Sequence, residues 1–225
     1  MNNIKVVPTN DGSSTLFSEK FNAYYHSTNG ALTESQHIFI QNGFMQLADK
    51  LPLINVLEIG LGTCLNAALT AGVSAKLNLK TLYYGIELYP PENEVAQALN
   101  YPELLSPTQT DMWKRIVNAA WNTNVEINDN FSIFKHLGDF CSWIPASQKF
   151  DLIYFDAFAP DDQTEMWSMD NFQKLFDVLT DSGILVTYSS KGIVKRTLRE
   201  VGFNVKRIPG PPGKRHILMA TKNSV

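Results

Sequence analysis

Two cysteines, Cys64 and Cys141, are too few for a disulfide framework. Reduced thiols and a cytoplasmic address are the expectation. The four histidines, His26, His37, His136 and His216, are scattered without metal-ligand spacing, so no metal is expected. No apolar run reaches the length of a membrane span, and the first eight residues lack the apolar centre of a signal peptide. Charged residues make up only 18% and the net charge is −3, which argues against indiscriminate nucleic-acid binding. Internal repeats, low-complexity tracts and interdomain linkers are also lacking. What is plentiful is apolar side chain, 44% of 225 residues, enough for one domain with a substantial core.

The most informative stretch is Ile54-Asn55-Val56-Leu57-Glu58-Ile59-Gly60-Leu61-Gly62-Thr63-Cys64-Leu65-Asn66. Its apolar run predicts a strand buried on both faces, ending in an acid. Gly60 and Gly62 permit a tight turn and close approach to a ligand. A helix is expected from Asn66, stopped by Gly72. Strand, glycine turn and helix place a ligand at the carboxyl end of a parallel strand. The dinucleotide fingerprint fails, because Leu65 stands where the third glycine belongs. Alone, this stretch also suits a strand-to-helix turn in some other α/β protein.

Further acids follow the same plan. Thr81–Glu87 reads as a second strand ending in Glu87, placed to accept hydrogen bonds from ribose hydroxyls. Phe131–Leu137 leads into Gly138-Asp139-Phe140. Phe150–Phe155 delivers Asp156, followed by Ala157-Phe158-Ala159-Pro160, in which Pro160 stiffens the loop that presents Phe158. Around these, residues 4–18 read as a hairpin turning at Asn10-Asp11-Gly12. Thr33 is expected to cap a helix to about Leu47, with Gln36 as capping-box partner. Tyr24, Tyr25, His37 and Phe39 are pocket candidates. Residues 101–107 read as a loop and 108–121 as a helix. Strands are expected at 125–127, 183–189, 203–206 and 216–220, and helices at 92–99, 168–179 and 193–201. We divide the chain into an N-terminal hairpin and cover, residues 1–50, and a main domain, 51–225. Charge is uneven: residues 191–215 hold eight cations against Glu200, a net +7, leaving −10 for the rest. A basic face for a phosphate-rich partner and a solvated helix face are both open readings.

Together these stretches resemble the methyltransferase half of the bifunctional tRNA 5-methylaminomethyl-2-thiouridine biosynthesis proteins (MnmC-like) and its stand-alone relatives. The resemblance is carried by Tyr24-Tyr25, Glu34-Ser-Gln-His37-Ile-Phe39, Glu58-Ile-Gly-Leu-Gly-Thr63 with Leu65-Asn66, Asp156-Ala-Phe-Ala-Pro160, Glu165-Met-Trp167, Thr187-Tyr-Ser189 and Gly213-Lys-Arg215. It implies a Rossmann-like class I S-adenosylmethionine-dependent methyltransferase fold. In that fold the sheet is mostly parallel with an antiparallel last strand, here joined by a small N-terminal β-hairpin/helix extension. It implies S-adenosyl-L-methionine as cofactor, held by Glu58, Gly60, Leu61, Gly62, Thr63, Asn66, Glu87, Asp139, Phe140 and Asp156. It implies methyl transfer to the primary amine of 5-aminomethyl-2-thiouridine at the tRNA wobble position. Asp156, assisted by Tyr25, then orients the amine and takes its proton. Phe158, Pro160 and Trp167 wall the base slot. Lys195, Arg199, Lys214 and Arg215 are the candidates expected to meet phosphates of the tRNA anticodon stem-loop. Three departures stand out. Cys64 replaces a glycine, with a small change expected in the turn. Thr164 replaces a proline before Glu165-Met-Trp167, with a looser loop expected. No oxidase half follows, so no flavin is expected and a separate enzyme must supply the amine. A small-molecule or polyamine N-methyl- or aminopropyltransferase and a non-catalytic RNA-binding scaffold remain the alternatives.

Overall fold

The chain is a computed structural model that describes residues 4–145 and 147–223. The first described residues form a hairpin, β1 (Ile4–Pro8) and β2 (Ser14–Ser18), paired from Ile4↔Ser18 to Pro8↔Ser14. A short β3 (Ala23–Tyr24) adds to β2 and completes a three-stranded antiparallel sheet.

The helix that follows differs from the expectation. It begins three residues earlier, as α1 (Ala31–Ser35), runs on as a π-helical turn (Gln36–Gln41), and stops before a 3₁₀ turn (Phe44–Gln46). Thr33 does not cap it. The capping carboxylate comes from the hairpin turn: Asp11 Oδ2 accepts the Thr33 N–H at 2.9 Å. Gly30 is what lets Asp11 approach, since a Cβ there would lie 2.4 Å from Asp11 Oδ2. Burial pushes the Asp11 carboxyl up, but hydrogen bonds from Ser13 and Thr33 outweigh it and hold the group well below the usual range.

The main body contains β4 (Leu53–Ile59), α2 (Leu65–Leu77), β5 (Lys80–Glu87), α3 (Asn93–Gln97), α4 (Tyr101–Leu104), α5 (Pro107–Asn118), β6 (Asn124–Asn128) and β7 (Phe131–Leu137). It continues with β8 (Phe150–Phe155), a 3₁₀ turn (Thr164–Trp167), α6 (Met169–Val178), β9 (Leu179–Thr187), α7 (Gly192–Val201), β10 (Asn204–Pro209) and β11 (His216–Thr221). The eight strands form one sheet in the order β10-β11-β9-β8-β4-β5-β7-β6. Strands β9, β8, β4, β5 and β7 run parallel; the last strand, β11, is antiparallel to β9, as expected. Strand β6 is a second antiparallel member, paired with β7.

From β4 the chain builds outward to β5 and β7, then crosses back to β8 and β9. The crevice between β4 and β8 is therefore the point where strand order reverses, the usual ligand position in such sheets. Alternation along β4 sorts its side chains. Ile54 and Val56 join a core with Leu65, Ala68, Trp113 and Ile116, whereas Leu57 and Ile59 join Phe172, Leu175 and Leu198. Helices thus cover both faces, and the polar side chains of β4 are Asn55, which donates to Asp151, and the buried Glu58.

Two expectations about helix ends fail for packing reasons. Gly72 lies inside α2 rather than ending it, because a Cβ there would meet the Gln109 side chain of α5 at 2.7 Å. The helix ends instead at Asn78, in the left-handed conformation. Residues 101–107 are not all loop: Tyr101 starts α4 and packs edge-on against Trp113, ring centroids 5.6 Å apart. The capping box sits on α5, where Ser106 Oγ accepts the Gln109 N–H and Gln109 Oε1 accepts the Ser106 N–H. Ser106→Ala should lower stability by about 1 kcal/mol, read by urea denaturation; an unchanged midpoint would remove this cap from the fold's support.

Candidate active site

The turns after the parallel strands are tied to one another by backbone hydrogen bonds. Gly60 N–H donates to Ile86 O at 3.0 Å, Gly138 N–H to Glu87 O at 3.0 Å, and Asp156 N–H to Ile59 O at 2.9 Å. These links carry the sheet's order past its edge and fix the acids that follow each strand. Gly60 has φ +87°, and a Cβ on it would lie 2.6 Å from Asp156 O. Gly62 has φ +49°, and a Cβ there would crowd the Tyr25 ring at 3.1 Å. Cys64 takes φ +61°, a left-handed geometry that favours glycine, and its thiol packs into the core. Burial pushes that thiol up to about 12, which leaves it a small apolar filler.

A cleft opens to solvent above these turns. Gly60, Leu61, Gly62 and Thr63 form its floor, with Asn66 at the start of α2. Glu87, Asp139 and Phe140 line one side; Asp156 and Phe158 line the other, with Tyr25 beside them. Phe21, His26, Leu88, Tyr89, Gln163 and Met166 also line it, and sequence reasoning did not single them out. Phe21 and His26 come from the N-terminal extension, where no local motif marks a pocket residue.

Glu58 does not line the cleft. By strand alternation it points under α2, fully buried, where Oε1 accepts from Asn66 Nδ2 at 2.8 Å and Oε2 from Tyr83 O–H at 2.7 Å. Burial raises its carboxyl to about 8, against the two hydrogen bonds. The second Asn66 N–H donates to Asp156 Oδ2 at 2.9 Å. One amide therefore joins the acid of β4 to the acid after β8. Asn66 Oδ1 is buried without a partner. The Asp156 carboxyl is held well above its usual range by burial, then by Glu58 and Glu34, with the Asn66 hydrogen bond and Lys214 opposing. Glu87 is also raised by burial, although it accepts N–H groups of Gly62 at 2.9 Å and Tyr89 at 2.8 Å. Asp139 Oδ1 accepts the Cys141 N–H at 2.8 Å.

Trp167 and Pro160 are placed differently from the expectation. Trp167 is buried behind the loop, edge-on to Phe155 at 4.8 Å and to Tyr188 at 6.1 Å. Its indole N–H donates to Phe158 O at 2.8 Å, so it fixes the loop rather than walling the cleft. Pro160 is buried, and its carbonyl accepts the Thr164 hydroxyl at 2.8 Å. The Thr164 hydroxyl thus ties its residue back to the loop. His26 is buried and lowered to about 4 by burial, against the pull of Glu34 and Asp11, so it is neutral at pH 7.

The cations divide into two groups. Lys214 lies 3.1 Å from the buried Glu34 carboxylate and 4.9 Å above the Tyr188 ring, so it belongs to the site's interior wall. Lys191 pairs with Asp161. Lys195, Arg196, Arg199, Lys206, Arg207 and Arg215 have no acidic partner among the described residues. Lys195, Arg196 and Arg199 border a shallow depression on α7, and the neighbouring Arg199 and Arg207 lower the Lys195 ammonium. No group of three or more metal-binding side chains occurs among the described residues, and no helix among them is long and apolar enough to cross a membrane.

A family model described as S-adenosyl-L-methionine-dependent methyltransferase matches residues 103–223. The chain belongs to this methyltransferase family. It is similar to the bifunctional tRNA 5-methylaminomethyl-2-thiouridine biosynthesis protein MnmC of Nitrosospira multiformis, 28% identical over 90% of this chain and 34% of that protein. The MnmC protein of Pseudomonas syringae pv. syringae is 30% identical over 91% of this chain and 32% of its own length. The chain therefore spans about a third of the curated relatives it matches. Among solved structures, MnmC2 of Aquifex aeolicus superposes with a TM-score of 0.85 at 22% identity, covering 100% of this chain and 72% of that one. Spermidine synthase of Thermotoga maritima superposes at 0.60 with 12% identity, over 99% of this chain and 70% of that one. These superpositions establish the shared fold.

The site fits the family's cofactor on its own terms. An orphaned buried acceptor, Asn66 Oδ1, and two desolvated carboxyls of the cleft, Glu87 and Asp156, stand ready for a cation, and the glycine floor leaves room for it. Glu58 supplies a check on this electrostatic picture. Its folded value lies above its ordinary value, so the folded state binds the extra proton and stability falls as pH rises from about 4.5 to about 8. Glu58→Gln keeps the shape and cannot ionise. It should flatten that decline, removing a difference on the order of a few kcal/mol in denaturation midpoints taken across this window. A decline that persists in the variant would show that Glu58 does not cause it.

Proposed function

We propose that this methyltransferase modifies the primary amine of 5-aminomethyl-2-thiouridine at the tRNA wobble position, giving 5-methylaminomethyl-2-thiouridine. The observation that carries the reading is the placing of Asp156, Phe158 and Tyr25 on one side of the cleft that Glu87 and Asp139 line on the other, in a chain similar to MnmC proteins over 90% of its length.

When bound, S-adenosylmethionine supplies an electrophilic methyl group on a sulfonium. Glu87 would hold its ribose, Asp139 and Phe140 its adenine, and Asn66 Oδ1 with the Gly60–Gly62 turn its amino-acid end. The chain's own work concerns the substrate amine. An alkylamine resembles lysine, with a pKa near 10, so about a thousandth is neutral at pH 7. Asp156 is suited to take the amine's proton, because burial beside Glu58 and Glu34 raises its own affinity for one. Asn66 fixes the carboxylate's orientation from below. Tyr25 keeps its phenol proton, since burial and then Glu87 raise it, and it remains a hydrogen-bond donor to the amine or base. Phe158 offers a ring face for an extruded base, with its carbonyl pinned by Trp167. The unpaired cations Lys195 and Arg199, with Arg215, suit phosphates of the anticodon stem; Lys214 serves the interior wall. A tRNA substrate sets the enzyme in the cytoplasm. The aminomethyl group must come from a separate deprotecting activity that exposes a primary amine.

Mass spectrometry of nucleosides from tRNA incubated with enzyme and S-adenosylmethionine should show one methyl added to the aminomethyl-thiouridine. Absence of that product sinks the reading. Under single turnover, Asp156→Asn should slow transfer by about a hundredfold or more; a near-normal rate takes Asp156 out of the chemistry. Binding to tRNA should weaken steeply with salt, and Lys195→Ala and Arg199→Ala should each reduce the logarithmic slope by about one. A salt-independent affinity contradicts the phosphate assignment.

A further inference from the structure

Methyl transfer as derived above uses the strand ends and leaves the N-terminal three-stranded sheet without a task. Yet that sheet sends its β2–β3 turn, residues 19–22, to the mouth of the cleft. Asn22 takes φ +50°, and the Phe21 N–H donates to Ser18 Oγ at 3.4 Å, which sets the turn's shape. The Phe21 ring stacks on Phe158 with centroids 4.7 Å apart and planes at 28°. Phe21 also leans on Tyr89 at 5.7 Å, and Lys20 Nζ lies 3.2 Å from the Tyr89 ring centroid. A half-exposed phenylalanine on a surface turn, beside a lysine, has no core to serve.

The two rings are mounted differently. Phe158 sits on the loop after β8, with its carbonyl bonded to the buried Trp167 and Tyr25 edge-on at 5.2 Å. Phe21 belongs to a separate sheet and reaches over from outside. Strands β4 and β5 lie between β8, which carries Phe158, and β7, which leads to Asp139. The stack therefore stands at the Asp156 end of the cleft, away from the acid assigned to adenine. Flat rings facing each other at an opening offer a planar heterocycle two π faces, and every base has one to give in return.

We propose that Phe21 and Phe158 are the two jaws of a clamp for the extruded pyrimidine of the substrate, with Lys20 at the rim facing an adjoining phosphate. The inference rests on the uridine reading above. The rings touch now and part to admit the base, which then trades one aromatic contact for two. The N-terminal extension thereby becomes a substrate-recognition element.

The test measures KM for an anticodon stem-loop RNA carrying 5-aminomethyl-2-thiouridine, together with the Kd of S-adenosylmethionine, in wild type, Phe21→Ala, Phe21→Leu and Phe21→Trp. The clamp predicts that Ala and Leu raise KM by about tenfold or more, that Trp stays within a few-fold of wild type, and that cofactor Kd is the same in all four. Retained cofactor binding also reports that each variant is folded. An unchanged KM in Phe21→Ala overturns the clamp. So does a loss carried by the cofactor's Kd, which would mean that Phe21 covers the cofactor. A wild-type enzyme that leaves this RNA unmethylated refutes the uridine reading itself, before any variant is compared.

Discussion

One side-chain amide holds the centre of this molecule together. Asn66 spends its two N–H groups on two acids, Glu58 under α2 and Asp156 beyond β8. Both acids are desolvated, and Glu58 raises the proton affinity of Asp156. An amide is the right group for the position: it donates twice, carries no charge of its own, and leaves one oxygen free. A cation among the acids would reverse their preference and let them ionise. Binding and protonation are therefore linked at this site, and the link passes through a residue on the first turn of a helix.

The rest of the architecture serves that arrangement. Parallel strands bring Glu87, Asp139 and Asp156 to one sheet edge above the buried Glu58, and backbone bonds between successive turns keep them there. Gly60 makes room for the Asp156 backbone, and Gly62 for Tyr25. Trp113 donates to Thr63 O at 3.0 Å from the far side of α2, steadying the turn. Trp167 does the same for the loop of Phe158. Aromatic side chains expected at the substrate thus divide by depth: some face the cleft, and others hold those that do.

Much of this was legible in sequence, for a physical reason. A buried parallel strand needs a continuous apolar run, and an acid at its end breaks that run visibly, so β4, β5 and β8 and the acids Glu58, Glu87 and Asp156 stood out. Strand alternation was legible too, and it assigns Glu58 to the same face as Ile54 and Val56; the resemblance to a cofactor motif obscured that. What local reasoning missed depends on distant partners. Thr33 looked like a cap because its neighbours have capping-box spacing, but Asp11 reaches the helix from another element. Gly72 looked like a stop because nothing nearby shows Gln109 packing on it. Lys214 counted among the cations for phosphate until Glu34 met it, and nothing near Phe21 in sequence marks the Phe158 ring it meets.

The account stands on acids that keep protons until a cation arrives, and titration calorimetry reads this directly. S-adenosylmethionine is titrated into the protein at pH 7 in two buffers of different ionisation enthalpy. The account predicts binding with net proton release, seen as a heat that changes with the buffer, and a smaller release at pH 9, where Glu58 has already ionised. Binding heats that are the same in both buffers, or no binding at all, would contradict it.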